Sequence, residues 1–90
     1  MANKNVKYFV WGERNGEIEV PVINLWKTKL GIFNADNLGG ALAHGTEVEV
    51  LNKDNDGWYK ISADVKHEGK TYHQGGYVRN TLIKREYHGA

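Results

Sequence analysis

The chain has no cysteine, a single proline, a single serine and almost no net charge. Without cysteine, no disulfide can staple the fold and no thiolate can hold a metal. The ninety residues must therefore fold as one domain on an apolar core alone. Twelve Lys and Arg against eleven Asp and Glu leave a formal charge of +1. A balance that even creates no broad field to draw nucleic acid or anionic membranes. Long apolar runs are missing too. Residues 6–11, "VKYFVW", include a lysine and run at once into Glu13 and Arg14, which excludes a secretory signal and a membrane span. A complete chain of this kind is expected in the cytoplasm. An excised piece, or one released by lysis, would stand outside the cell or at its wall. Apolar residues at helical spacing are the last absence, because no window sustains them.

What remains points to strands. Eleven glycines and ten aromatics (three Trp, five Tyr, two Phe) suit short strands joined by tight turns, so the expected class is all-β. In residues 6–22, Val6, Tyr8 and Val10 alternate with Lys7, Phe9 and Trp11. Asn15-Gly16 then offers the positive φ angles of a type I′ turn, and Ile18, Val20 and Val22 follow. This predicts an N-terminal hairpin over about residues 5–20. Pro21 cannot donate to a ladder, so it marks an edge strand or a bend where the chain changes partner; beyond it the apolar phase moves to Ile23 and Leu25. Residues 27–44 lack a clean period and carry turn formers, so an ordered loop with a short strand or turn is expected there. Such a loop persists only if it packs on itself or binds something. "TEVEVLN" and "WYKIS" alternate as strands around an Asp56-Gly57 turn. A second hairpin turns at His67-Glu68-Gly69, and Gly75-Gly76 in its return strand indicates a bulge or a close crossing. Five to six strands with one long loop must curl to bury a core, which predicts a small, partly open barrel.

Residues 22–84 resemble the bacterial SH3-like (SH3b) family. The resemblance rests on "VINLWKTK", "GGALAHGTEVEVL", "DGWYKI" and "GGYVRNTLI", in the family's order and spacing. Trp26-Lys27-Thr28-Lys29 replaces the family's Arg-Ser-Gly-Pro-Ser, and the hairpin before residue 22 is an addition. Arg79 and Leu82 stand where eukaryotic SH3 domains carry the Pro and Tyr that cradle polyproline, so a polyproline ligand is not expected. The resemblance implies a non-catalytic module that binds an extended peptide or a protein, the peptide of bacterial cell wall first among them. It also allows a phage-type lytic system as the source.

Neighbouring side chains on a strand point to opposite faces, so Trp58 and Tyr59 cannot both face the core. The resemblance puts Trp58 on the ligand side, beside the long loop. Its indole, some 200 Å² of mostly apolar surface, either meets a ligand or is buried beneath residues 27–44. Trp26, Phe33 and Tyr77 could join it in an aromatic cleft, or simply fill the ends of the barrel. Phe9 and Trp11 lie opposite Val6, Tyr8 and Val10. Their hairpin either covers the barrel or offers a patch to a partner or a second copy, which leaves a monomer or weak dimer. The runner-up function is accordingly an intracellular adaptor docking through Phe9 and Trp11. No metal or cofactor is expected, although His67 and His73 could meet across their hairpin. Nor is an enzyme: Ser62 and Asp64 share a strand face, but no histidine is clearly placed to link them. The lysines read as solvated faces interspersed with glutamates, and nucleic acid is the third reading.

Overall fold

The computed structural model describes residues 6–30 and 34–87. Nine strands follow one another: β1 (Val6–Val10), β2 (Glu13–Arg14), β3 (Glu17–Ile18), β4 (Val22–Trp26), β5 (Leu38–Ala43), β6 (Glu47–Lys53), β7 (Trp58–His67), β8 (Lys70–Arg79) and β9 (Ile83–Tyr87). Two 3-10 turns, Ala35–Asn37 and Asn80–Leu82, are the helical elements among the described residues. The fold is all-β, as the composition predicts.

Seven strands form one antiparallel sheet in the order β5-β4-β8-β7-β6-β1-β9, while β2 and β3 pair separately. In a flat sheet, β5 and β1 would lie five strand spacings apart, about 24 Å. Yet Leu42 of β5 and Val10 of β1 belong to one core cluster with Ile23, Leu25, Val48, Ile61, Ala63 and Val78. The sheet therefore curls around its core without closing, and β5 and β9 are its edges.

Local chemistry fixes the turns. Asn15 and Gly16 have φ of 55° and 84°, and Glu68 and Gly69 have 51° and 77°, the positive pairs that two-residue hairpin turns require. The Glu68-Gly69 turn joins two ten-residue strands that pair from Trp58↔Arg79 to His67↔Lys70. Gly76 has a φ of 153°, and a Cβ there would sit 2.8 Å from the Trp26 carbonyl oxygen. The expected close crossing is thus where β4 meets β8, at the single pairing Trp26↔Tyr77.

The N-terminal hairpin is shorter than its alternation suggests. Its turn is present, but its arms are only β2 and β3. β1 instead lies inside the large sheet, paired with β9 from Val6↔Tyr87 to Val10↔Ile83 and with β6 at Tyr8↔Val48. Pairing with β9 and β6 buries Val10 fully, whereas β3 offers an exposed surface. Pro21 stands where the chain leaves β3 for β4, and its carbonyl accepts the His44 amide at 2.9 Å. In the long connection, residues 38–43 form strand β5 despite two glycines. Asn37 ties residues 28–30 to the first 3-10 turn: its Oδ1 accepts from the Thr28 amide and hydroxyl, and its Nδ2 donates to the carbonyls of Thr28 and Leu30.

Candidate functional site

On β7, Tyr59, Ile61 and Ala63 face the core, so Trp58, Lys60 and Ser62 face outward. On β8, Val78 faces in, which turns Tyr77 and Arg79 out. On β4, Ile23 and Leu25 face in, which leaves Asn24 and Trp26 outside. The pairings Trp26↔Tyr77, Tyr77↔Lys60 and Arg79↔Trp58 then bring these side chains together on the outer face.

Three connections from distant parts of the sequence meet at the Trp58 end of this face. Lys29, from the long connection, bridges Asp54 and Asp56 of the β6–β7 turn, with its Nζ 2.9 Å from Asp56 Oδ2. Asp56 Oδ1 accepts the Trp58 amide at 3.3 Å, and the Asn80 amide of the second 3-10 turn donates to the Gly57 carbonyl at 2.9 Å. Arg79 lays its guanidinium 4.4 Å from the centre of the Trp58 ring. The Lys29 ammonium holds the Asp56 carboxyl below its ordinary range, helped by the Trp58 amide. Asp54 first, and Asp56 second, raise the Lys29 ammonium above its own.

Trp58 points outward, and of the two alternatives for its indole, burial is the one observed. The residue is 6 % exposed, although it lies outside the contiguous core cluster. Arg79 covers one face of the ring. Trp58 is a floor rather than a free contact. Trp26 and Tyr77 remain half-buried beside it, with Lys29 Nζ 5.4 Å and Lys60 Nζ 6.0 Å from the Tyr77 ring centre. Phe33 lies outside the described residues.

Of the two alternatives for Phe9 and Trp11, cover or free patch, the structure shows both residues in contact with other parts of the domain. Phe9 is half-buried on a strand flanked on both sides, with Glu47 and Lys84 as its register neighbours. Trp11 packs against the His44 ring with centroids 4.4 Å apart and planes tilted by 53°, lies beneath Lys84 Nζ at 4.1 Å, and donates from its indole to Glu13 at 3.2 Å. The His44 Nδ1 also accepts the Gly12 amide at 2.8 Å. A hollow of about 80 Å³ adjoins Trp11, lined by Arg14, Val20 and Leu82 among others.

Sequence reasoning missed one constellation. His73 pairs across the hairpin with Asp64, not with His67, and its Nδ1 lies 2.7 Å from Asp64 Oδ1. Both border an open groove of about 480 Å³ with Ser62, Glu47 and Glu49. The hairpin register would have revealed it: with Glu68-Gly69 as the turn, position 73 falls opposite 64. The His73 and Asp64 side chains are 72 % and 66 % exposed, so water reaches the pair freely. General-base chemistry gains most where charge develops in a dry, preorganised site, which this groove is not. Among the described residues no group of three or more His, Asp or Glu is placed to hold a metal ion, and no helix is long and apolar enough to cross a membrane.

Fold and site together define an all-β domain whose outer face gathers aromatic rings and cations at one corner. No family model, curated protein or solved structure matches the chain.

Proposed function

We propose that this is a non-catalytic binding module of SH3b-like build, and that its outer corner recognises an extended peptide. One observation carries the reading: two half-buried rings, Trp26 and Tyr77, lie together with Lys29 and Lys60 where the three connections converge. Flat rings give contact area at little entropic cost, and the Lys60 ammonium next to Tyr77 favours a peptide with a free carboxylate. The resemblance of "GTEVEVL" and "DGWYKI" to SH3b domains makes the bacterial wall peptide the first ligand to test.

Sedimentation with purified peptidoglycan tests this. The protein is expected in the pellet, and Trp26→Ala together with Tyr77→Ala should return it to the supernatant. No sedimentation of the unmodified chain would remove the wall ligand. Binding that falls steeply with added salt and persists on a short oligonucleotide would favour the nucleic-acid reading. The adaptor reading would require Phe9 and Trp11 to carry the contact, and both are engaged within the domain.

A further inference from the structure

The two edges of the large sheet are built differently. β9 carries Lys84, Arg85 and Glu86, the charges that discourage another strand from pairing with an edge. β5, "LGGALA", carries no charge and no proline, and Leu38, Gly39, Ala41 and Ala43 are exposed. Its free backbone groups follow from the register. The His44 amide bonds the Pro21 carbonyl, so in the pairing Val22↔Ala43, Ile23↔Leu42, Asn24↔Ala41 the hydrogen-bonded pairs are Ile23↔Leu42 and, further along, Leu25↔Gly40. Ala41 and Ala43 therefore turn their amides away from β4. The Ala43 carbonyl already accepts from Thr46, through both its amide and its hydroxyl. Ala41 keeps an outward donor and acceptor, and Ala43 an outward donor.

We propose that β5 is a strand-addition site, and that its occupant is an extended peptide running antiparallel to it with an acidic C-terminal end. Two features choose that occupant. Pairing of β5 with β5 of a second copy would join only two six-residue strands of glycine, alanine and leucine. That falls short of the roughly 800 Å² per partner of a stable interface. Charge sets the direction: a peptide antiparallel to β5 ends beside Gly39, where the Lys27 side chain passes within 3.3 Å of the position a Cβ would take. Lys27 is exposed and has no ion-pair partner among the described residues, so it meets a terminal carboxylate; a parallel peptide would bring its ammonium there instead. Main-chain bonds would supply the affinity. The exposed row Val22, Ala43, Ala41 and Leu38 would receive every second side chain. This site adjoins the Trp26–Tyr77 corner at the pairing Trp26↔Leu38, but it rests on the main-chain groups of β5 and Lys27, so either can fail without the other.

The probe is an N-acetylated heptapeptide of alternating Thr and Val ending in Asp with a free carboxylate, titrated into labelled protein and followed by amide NMR. The expected result is a response centred on the Ala41 and Ala43 amides, with slowed hydrogen exchange at Ala41. Ala41→Pro, which removes an outward donor while leaving the β4–β5 ladder its bonds, should weaken binding about tenfold. If that variant does not fold, Lys27→Glu decides: it should weaken the free-acid peptide most, and the C-terminally amidated one, which keeps only the Asp side-chain carboxylate, less. A response confined to Tyr77 and Lys60, equal binding by Ala41→Pro, or indifference to Lys27→Glu would overturn the proposal. So would concentration-dependent broadening at Ala41 without peptide together with a dimer in sedimentation, which would make a second copy the occupant.

Discussion

Trp58 and Trp11 are both indoles beneath a cation, yet they stand in different relations to the fold. Arg79 lies 4.4 Å from Trp58 and Lys84 lies 4.1 Å from Trp11. Trp58 faces away from the core and is nonetheless only 6 % exposed, with Arg79 over its ring at the corner where a lysine bridge, an aspartate turn and a 3-10 turn meet. Trp11 follows a core strand and stays half-exposed, with His44 against it and Glu13 on its ring nitrogen. The difference teaches that facing outward and being available are separate properties. The first depends on strand parity, and the second on which distant connections cross the ring.

Substitutions can break this comparison. Trp58→Ala should cost the most, about 3–5 kcal/mol in urea unfolding, because it empties a sealed site. Trp11→Ala should cost less, about 1–2 kcal/mol, since part of its surface is already wet. Equal losses at the two positions would show that the corner is not sealed. Arg79→Ala comes next, at about 0.5–2 kcal/mol. It should also raise acrylamide quenching of the Trp58 fluorescence, measured with Trp11 and Trp26 replaced by Phe; unchanged quenching would mean that something other than Arg79 covers the ring.

The smallest effect is the dependence on acid. Lys29 depresses the Asp56 carboxyl in the folded state, so the stability it adds is present above the ordinary carboxylate value, about 3.9. That stability is lost as pH falls through the depressed folded value. Asp56→Asn should therefore lower the neutral plateau of the stability curve and flatten its acid limb below about pH 4 by the same amount, so that the two proteins converge in acid. An acid limb identical in both proteins would exclude Asp56 as its source.

Strand parity and turns were legible in the sequence because both are local. The phase shift past Pro21 identified Ile23 and Leu25 as core, and both are fully buried. Asn15-Gly16, Glu68-Gly69 and Gly76 were legible because their backbone conformations are ones that few residues adopt. The partner of β1 was not. Alternation in residues 6–10 shows which side chains face inward, but carries no record that β9, more than seventy residues on, will pair with them. For the same reason the direction of Trp58 could be read while its cover could not: Arg79, which lies over the ring, comes from a different strand. Asp64 and His73 went unlinked until the hairpin register brought them opposite one another.

The recognition claim has a direct test in three fluorine signals. With 5-fluorotryptophan at positions 11, 26 and 58, a soluble wall stem peptide is titrated in and each resonance followed. The account predicts that Trp26 moves with saturation, that Trp58 moves less because Arg79 shields it, and that Trp11 stays fixed. A Trp11 signal that moves while Trp26 holds still would contradict it.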